Sequence, residues 1–215
     1  MNFLQTDFLI SALLIASAFV VFGLMVLRLN NTSLPPVYPT PRPIAIGGWL
    51  IVIAVLVIIS LCSSFFKLFD LSIWVEGFWT VYFQDPESYL TLSLQVLDAL
   101  NIVFILTFGF FSIILFFKRR DIAPKVMNYY IIISTAVSCI ISLTAILAEL
   151  SAIPLDGLPA RLFMIQILAI IIVILITSLI VRYLRNSTRS KETFVLPHPS
   201  LVDHELPDFD LNKES

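Results

Sequence analysis

Residues 85–120 read DPESYLTLSLQVLDALNIVFILTFGFFSIILFFKRR. Asp85 can cap a helix, Pro86 fits its first turn, and Glu87 suits the positive helix end. From Tyr89 to Phe117 the one charged side chain is Asp98, and Lys118-Arg119-Arg120 closes the run. About 20 apolar residues cross the hydrocarbon of a bilayer. The stretch therefore predicts a transmembrane helix with an abrupt basic end, and that end orients its neighbours.

Composition extends this reading to the whole chain. The 215 residues are 59% hydrophobic and 13% charged, with a mean hydropathy of +0.97, which leaves too little polar surface to coat a soluble globule. The expected fold class is all-α, a polytopic transmembrane helical bundle. Cys62 and Cys139 lie inside apolar runs, which suits packing residues and gives no support to a disulfide framework or a thiolate zinc site.

Outward from the central helix the chain divides into an amino-terminal transmembrane helix (1–29), a Pro-rich linker (30–43), a four-span membrane domain (44–185) and a disordered cytoplasmic tail (186–215). The four spans are expected at 44–66, 90–117, 126–148 and 162–183. No Lys or Arg precedes the first apolar run and no Ala-x-Ala site follows it, so an uncleaved helix is expected rather than a signal peptide. Pro35, Pro36, Pro39, Pro41 and Pro43 make the linker a stiff, extended spacer. Residues 67–84 are too short and polar to span. Trp74, Phe78, Trp79, Tyr82 and Phe83 beside Asp70 and Glu76 predict an amphipathic piece anchored in the outer interface. The tail is rich in charge and proline, and its His198 and His204 are too few to build a metal site.

With five spans the termini lie on opposite sides. Of the 13 Lys and Arg residues, all but Lys67 and Arg161 fall on one side. The positive-inside rule then predicts the amino terminus outside and the carboxyl terminus in the cytoplasm. Lys118, Arg119, Arg120, Arg182, Arg185, Arg189 and Lys191 are expected to set this topology and to meet headgroups.

Asp98 lies about 30 Å along the helix from Lys118, which puts it at the outer boundary of the hydrocarbon. Gln95, Asp98 and Asn101 then form an outer polar cluster with Glu149, Arg161 and Gln166 of the later spans. Such a cluster either hydrogen-bonds across helices to fix packing or lines an outward cavity for a small polar ligand, a lipid headgroup or an ion. Packing is the preferred reading, because an interfacial carboxylate costs far less than a central one. Gly47, Gly48, Ser134, Ser138 and Ser142 are small residues placed where helices can approach closely.

The other four spans hold no Asp, Glu, Lys, Arg or His at their centres, which disfavours a proton relay. A Ser/His pair, paired aspartates, a His-Glu-x-x-His site and a phosphate-cradling glycine loop are all missing from the sequence. No catalytic, cofactor-binding or metal residue is expected, and the chain is not expected to be an enzyme.

Ile46-Gly47-Gly48-Trp49-Leu50 opening a span, Asp98-x-x-Asn101 ahead of Phe116-Phe117-Lys118-Arg119-Arg120, and Arg189-x-Lys191-x-Thr193-Phe194-Val195 after the last span resemble the bacterial membrane family called domain of unknown function 2569, over residues 44–195. The resemblance implies a bacterial inner-membrane protein with a four-span core, to which the first helix is an addition. It supplies no activity. A non-enzymatic accessory, scaffold or assembly subunit is expected, the alternative being a small transporter or a ligand or lipid sensor using the outer polar cluster. Its expected partners are the lipid bilayer and other membrane proteins or a second copy, with no nucleic acid.

Overall fold

The computed structural model describes residues 3–32, 44–84, 88–152 and 160–196. The helices are α1 (Phe3–Asn30), α2 (Trp49–Phe69), α3 (Phe78–Gln84), α4 (Tyr89–Phe117), α5 (Ala123–Ala152), α6 (Ala160–Asn186) and α7 (Thr188–Thr193), with a 3-10 turn at Ser72–Trp74. Five of them, α1, α2, α4, α5 and α6, are long and apolar enough to cross a membrane. The chain is an all-α polytopic bundle. The Asp85-Pro86-Glu87 start signal and most of the proline linker lie outside the described residues.

The central position of α4 is steric in origin. Lipid is as apolar as leucine, so helices in a bilayer associate through shape and polar contacts rather than through hydrophobicity. At Gly109 on α4 an added Cβ would stand 2.8 Å from Leu61 Cδ2 and 3.2 Å from Tyr130 Cζ. The missing side chain lets α2 and α5 close on α4 from two sides. Phe104 and Phe108 stack at 4.6 Å along α4, and Phe22 of α1 meets Phe104 edge-on at 5.5 Å. Helix α4 thus packs against α1, α2 and α5, whereas α6 joins the bundle through α5. The faces of α6 carrying Met164, Ile165, Leu168 and Leu179 are exposed.

Residues 67–84 do more than anchor in an interface. Ile73, Phe78 and Trp79 are buried with Ile15 and Ala18 of α1 and Ala99 and Val103 of α4. Two side chains of α1 fix this cap. The Asp7 carboxylate accepts a 2.8 Å hydrogen bond from Gly77 N–H, and the Ser11 hydroxyl accepts one of 2.8 Å from Trp79 Nε1 while donating to the Ile73 carbonyl. The amphipathic pattern comes from a layer with one face on the bundle; Val81 and Phe83 keep the other face outward.

The tail expected to be disordered from Asn186 is folded up to Leu196. Ser187 caps α7 by accepting from Ser190 N–H, and the buried Ser190 hydroxyl donates to the Leu184 carbonyl at 3.1 Å. Phe194 is buried against Phe116, their ring centroids 5.1 Å apart. Apolar burial of Phe194 and Leu184 offsets the ordering cost that the charged composition alone would leave unmet. Residues 197–215, with His198 and His204, lie outside the described residues.

Candidate functional site

Among the described residues, Gln95 and Asn101 of the outer polar cluster do not face one site. On a helix turning 100° per residue, Gln95 and Asn101 are about 120° apart, and each serves a different neighbour. Gln95 Oε1 accepts a 2.7 Å hydrogen bond from the Ser72 hydroxyl in the 3-10 turn. Asn101 is buried and donates from Nδ2 to the Ser138 hydroxyl of α5 at 3.1 Å. Asp98 is half-buried between them, and the field of Lys67 at the end of α2 reaches it. Gln166 is exposed on α6 and lines a cleft of about 340 Å³ between α5 and α6 with Ser138 and Ser142. Glu149 and Arg161 fall on α5 and α6, their side chains outside the described residues.

The serine stripe of α5 has divided duties. Ser134 returns its hydroxyl to the Ile131 carbonyl, Ser138 takes the Asn101 amide, and Ser142 faces the α5–α6 cleft. Next to the stripe, the hydroxyls of Thr135 and Thr177 meet at 3.0 Å and tie α5 to α6. Of these groups, Ser138 and Thr135 join α5 to neighbouring spans.

At the opposite, basic end the structure changes the roles of several residues. Lys118 is exposed, as are Arg182, Arg185, Arg189 and Lys191. Arg120 is buried instead, and its Nη2 donates to the carbonyls of Asn30 and Thr32 at 3.3 and 3.2 Å. The Asn30 carbonyl ends α1 and has no intrahelical donor left, and Thr32 lies just beyond the helix. Asp121 lies 4.0 Å from Arg120 Nε. Burial lowers the Arg120 pKa from its ordinary value, with Asp121 acting in the other direction. An arginine keeps its charge in a protein, so Arg120 is a cross-helix staple rather than a headgroup contact. Arg119 adopts a left-handed φ of 50°. The turn it opens is completed from far along the chain: Leu196 N–H donates to the Arg119 carbonyl and Asp121 N–H to the Leu196 carbonyl, a single parallel bridge.

Gly47 and Gly48 do not receive a neighbouring span. An added Cβ on Gly47 would lie 2.6 Å from Arg189 Nη2, and one on Gly48 3.7 Å from Arg189 Nη1. The two glycines therefore seat the guanidinium of a residue on α7, and Gly48 also needs its φ of 58°. Beside this seat, Ile44 N–H donates to the Glu192 carbonyl. The sequence motifs Ile46-Gly47-Gly48-Trp49-Leu50 and Arg189-x-Lys191-x-Thr193-Phe194-Val195 are thus two halves of one contact. Sequence reasoning missed Asp7, Ser11 and Gly109. The available signals were a carboxylate and a hydroxyl four apart at the head of an otherwise apolar helix, and a lone glycine within a phenylalanine-rich span.

Comparison with known proteins agrees with this architecture. The chain is similar to the inner membrane protein YdgK of Escherichia coli (strain K12), 28% identical over 166 residues that cover 74% of this chain and 99% of that relative. No solved structure matches it. Five apolar helices and an inner-membrane relative support a multi-pass inner-membrane protein. Residues 43–195, from just before the glycine seat to just after Phe194, match the family described as protein of unknown function (DUF2569), and the chain belongs to that family.

Proposed function

We propose that the protein is a non-enzymatic accessory or assembly subunit of the inner membrane, with its amino terminus outside and its carboxyl terminus in the cytoplasm. The observation that carries this reading is the use of polar groups within the spans. Gln95 pairs with Ser72, Asn101 with Ser138, and Thr135 with Thr177, so each of these side chains makes a packing contact, Asn101 leaving its buried Oδ1 unpartnered, and among the described residues they do not share one cavity. The transporter reading required them to share one cavity. Helix α6, attached chiefly through α5 among the spans and exposed along Ile165, Leu168 and Ile172, is the element through which a partner span would join.

Photo-crosslinking residues placed at Leu168 and Ile172 test the role. The expected outcome is an adduct of discrete mass with another membrane protein or a second copy; adducts with lipid alone would sink the subunit reading. Orientation has a separate test. A reporter active only in the periplasm should be silent when fused after residue 215, and activity there would reverse the topology.

A further inference from the structure

A groove of about 630 Å³ runs between α2 and α6. Its mouth is formed by Trp49, Arg182, Asn186 and Ser187, and its walls by apolar side chains such as Val52, Leu56, Ile176 and Leu179. A smaller hollow of about 150 Å³ shares Ile53, Leu56 and Ile180 with it and continues past Ser60 to α5. Along α2 the groove reaches from Trp49 to Leu56, roughly 10 Å, which keeps it within one leaflet of a hydrocarbon core about 30 Å thick. Its walls are apolar and its mouth polar; the hollow beyond it is lined by Ser60, Ser134 and Thr135.

The lining and its charge select the occupant. The walls are apolar and the mouth carries a guanidinium, which suits an acyl chain below an anionic headgroup. Arg182 is a bidentate phosphate ligand by geometry, and Asn186 and Ser187 add neutral donors. No carboxylate is among the lining residues. Trp49 sits at the depth where indoles meet headgroups, and the Arg189 guanidinium over Gly47 and Gly48 places a second positive charge beside the mouth. We propose that the α2–α6 groove binds one anionic phospholipid, its phosphate at Arg182, Asn186 and Ser187 and an acyl chain between Val52, Leu56, Ile176 and Leu179. This site lies at the basic end of the bundle, remote from the outer polar residues, and does not depend on the accessory role.

A rival groove of about 550 Å³ between α1 and α5 has Arg28 and Lys125 at its mouth, so the test must separate the two. Full-length protein in mild detergent is titrated with phosphatidylglycerol or phosphatidylethanolamine, and retained lipids are counted by native mass spectrometry. The expected result is one phosphatidylglycerol held at least tenfold more tightly than phosphatidylethanolamine. That preference should be lost in Arg182→Gln and in the groove-filling Leu179→Trp, and kept in Arg28→Gln/Lys125→Gln. Circular dichroism confirms that each variant is folded, and Arg182→Lys, expected to restore part of the preference, serves if Leu179→Trp is not. Equal retention of both lipids by the native protein would mean annular lipid only and overturn the proposal. So would loss of preference confined to the Arg28/Lys125 variant, tight binding of inorganic phosphate without lipid, or recovery of a bound protein in place of lipid.

Discussion

The guanidinium of Arg189 occupies the space that a side chain at Gly47 would need: a Cβ there would stand 2.6 Å from Nη2. Gly47→Ala should therefore unseat Arg189 and loosen α7. Overpacking of this kind costs about 1–3 kcal/mol, less where the intruded atom ends a flexible side chain. Arg189→Ala should lower the cost of Gly47→Ala, so the double variant is more stable than the two single changes predict. Thermal melts in detergent of the four proteins measure this coupling, and strict additivity would mean that the two residues do not meet.

Ser11 holds both Trp79 Nε1 and the Ile73 carbonyl. Ser11→Ala leaves the Trp79 indole N–H without this acceptor, and a buried unsatisfied donor costs about 1–3 kcal/mol. The variant should unfold earlier in a denaturing-detergent titration, with faster proteolysis within residues 71–84. Ser11→Cys, which keeps a weak acceptor, should fall between the two.

The Asn101–Ser138 pair permits a direct measurement of polar coupling in the bundle. Hydrogen bonds between membrane helices average about 0.6 kcal/mol in double-mutant cycles. Asn101→Ala and Ser138→Ala should show coupling of that order by steric trapping. Zero coupling, with lost phenotype and unchanged stability in Asn101→Ala, would instead favour a ligand at this position.

Arg120→Gln should behave unlike Lys118→Gln. Hydrogen bonds from a charged group contribute about 1.5–3 kcal/mol, and Arg120 makes two, to Asn30 and Thr32, whereas Lys118 is exposed. A clear loss of thermal stability is expected in the first variant and a change within about 0.5 kcal/mol in the second. Equal effects would remove the staple.

The spans were legible because crossing a bilayer is a property of length and apolarity, both one-dimensional. Which residues meet was harder to read. Gln95, Asp98 and Asn101 are three apart in succession, and each adjacent pair shares a face, but the angle accumulates until the outer two diverge; counting it over six residues would have separated them. Arg120 looks like Lys118 in any charge count, since burial depends on where α1 ends. Helix α7 was hidden by its charges, although Ser187 three residues before Ser190 is a capping pattern and Phe194 is a poor residue for a solvated tail. The glycine pair was recognised as a close approach, but its occupant lay about 140 residues away in sequence, a distance no local rule spans.

The turn after α4 joins parts of the chain that are made at very different times. Arg120 reaches back to the carbonyls of Asn30 and Thr32, which precede it in synthesis, while the Arg119 carbonyl and the Asp121 N–H pair with Leu196. During biosynthesis the first span can therefore be stapled as soon as α4 has left the translocon, but the same turn stays open until the ribosome has released Leu196. A chain ending before Leu196 would lack the partner of that turn, and one ending before Arg189 would also lack the guanidinium that fills the glycine seat.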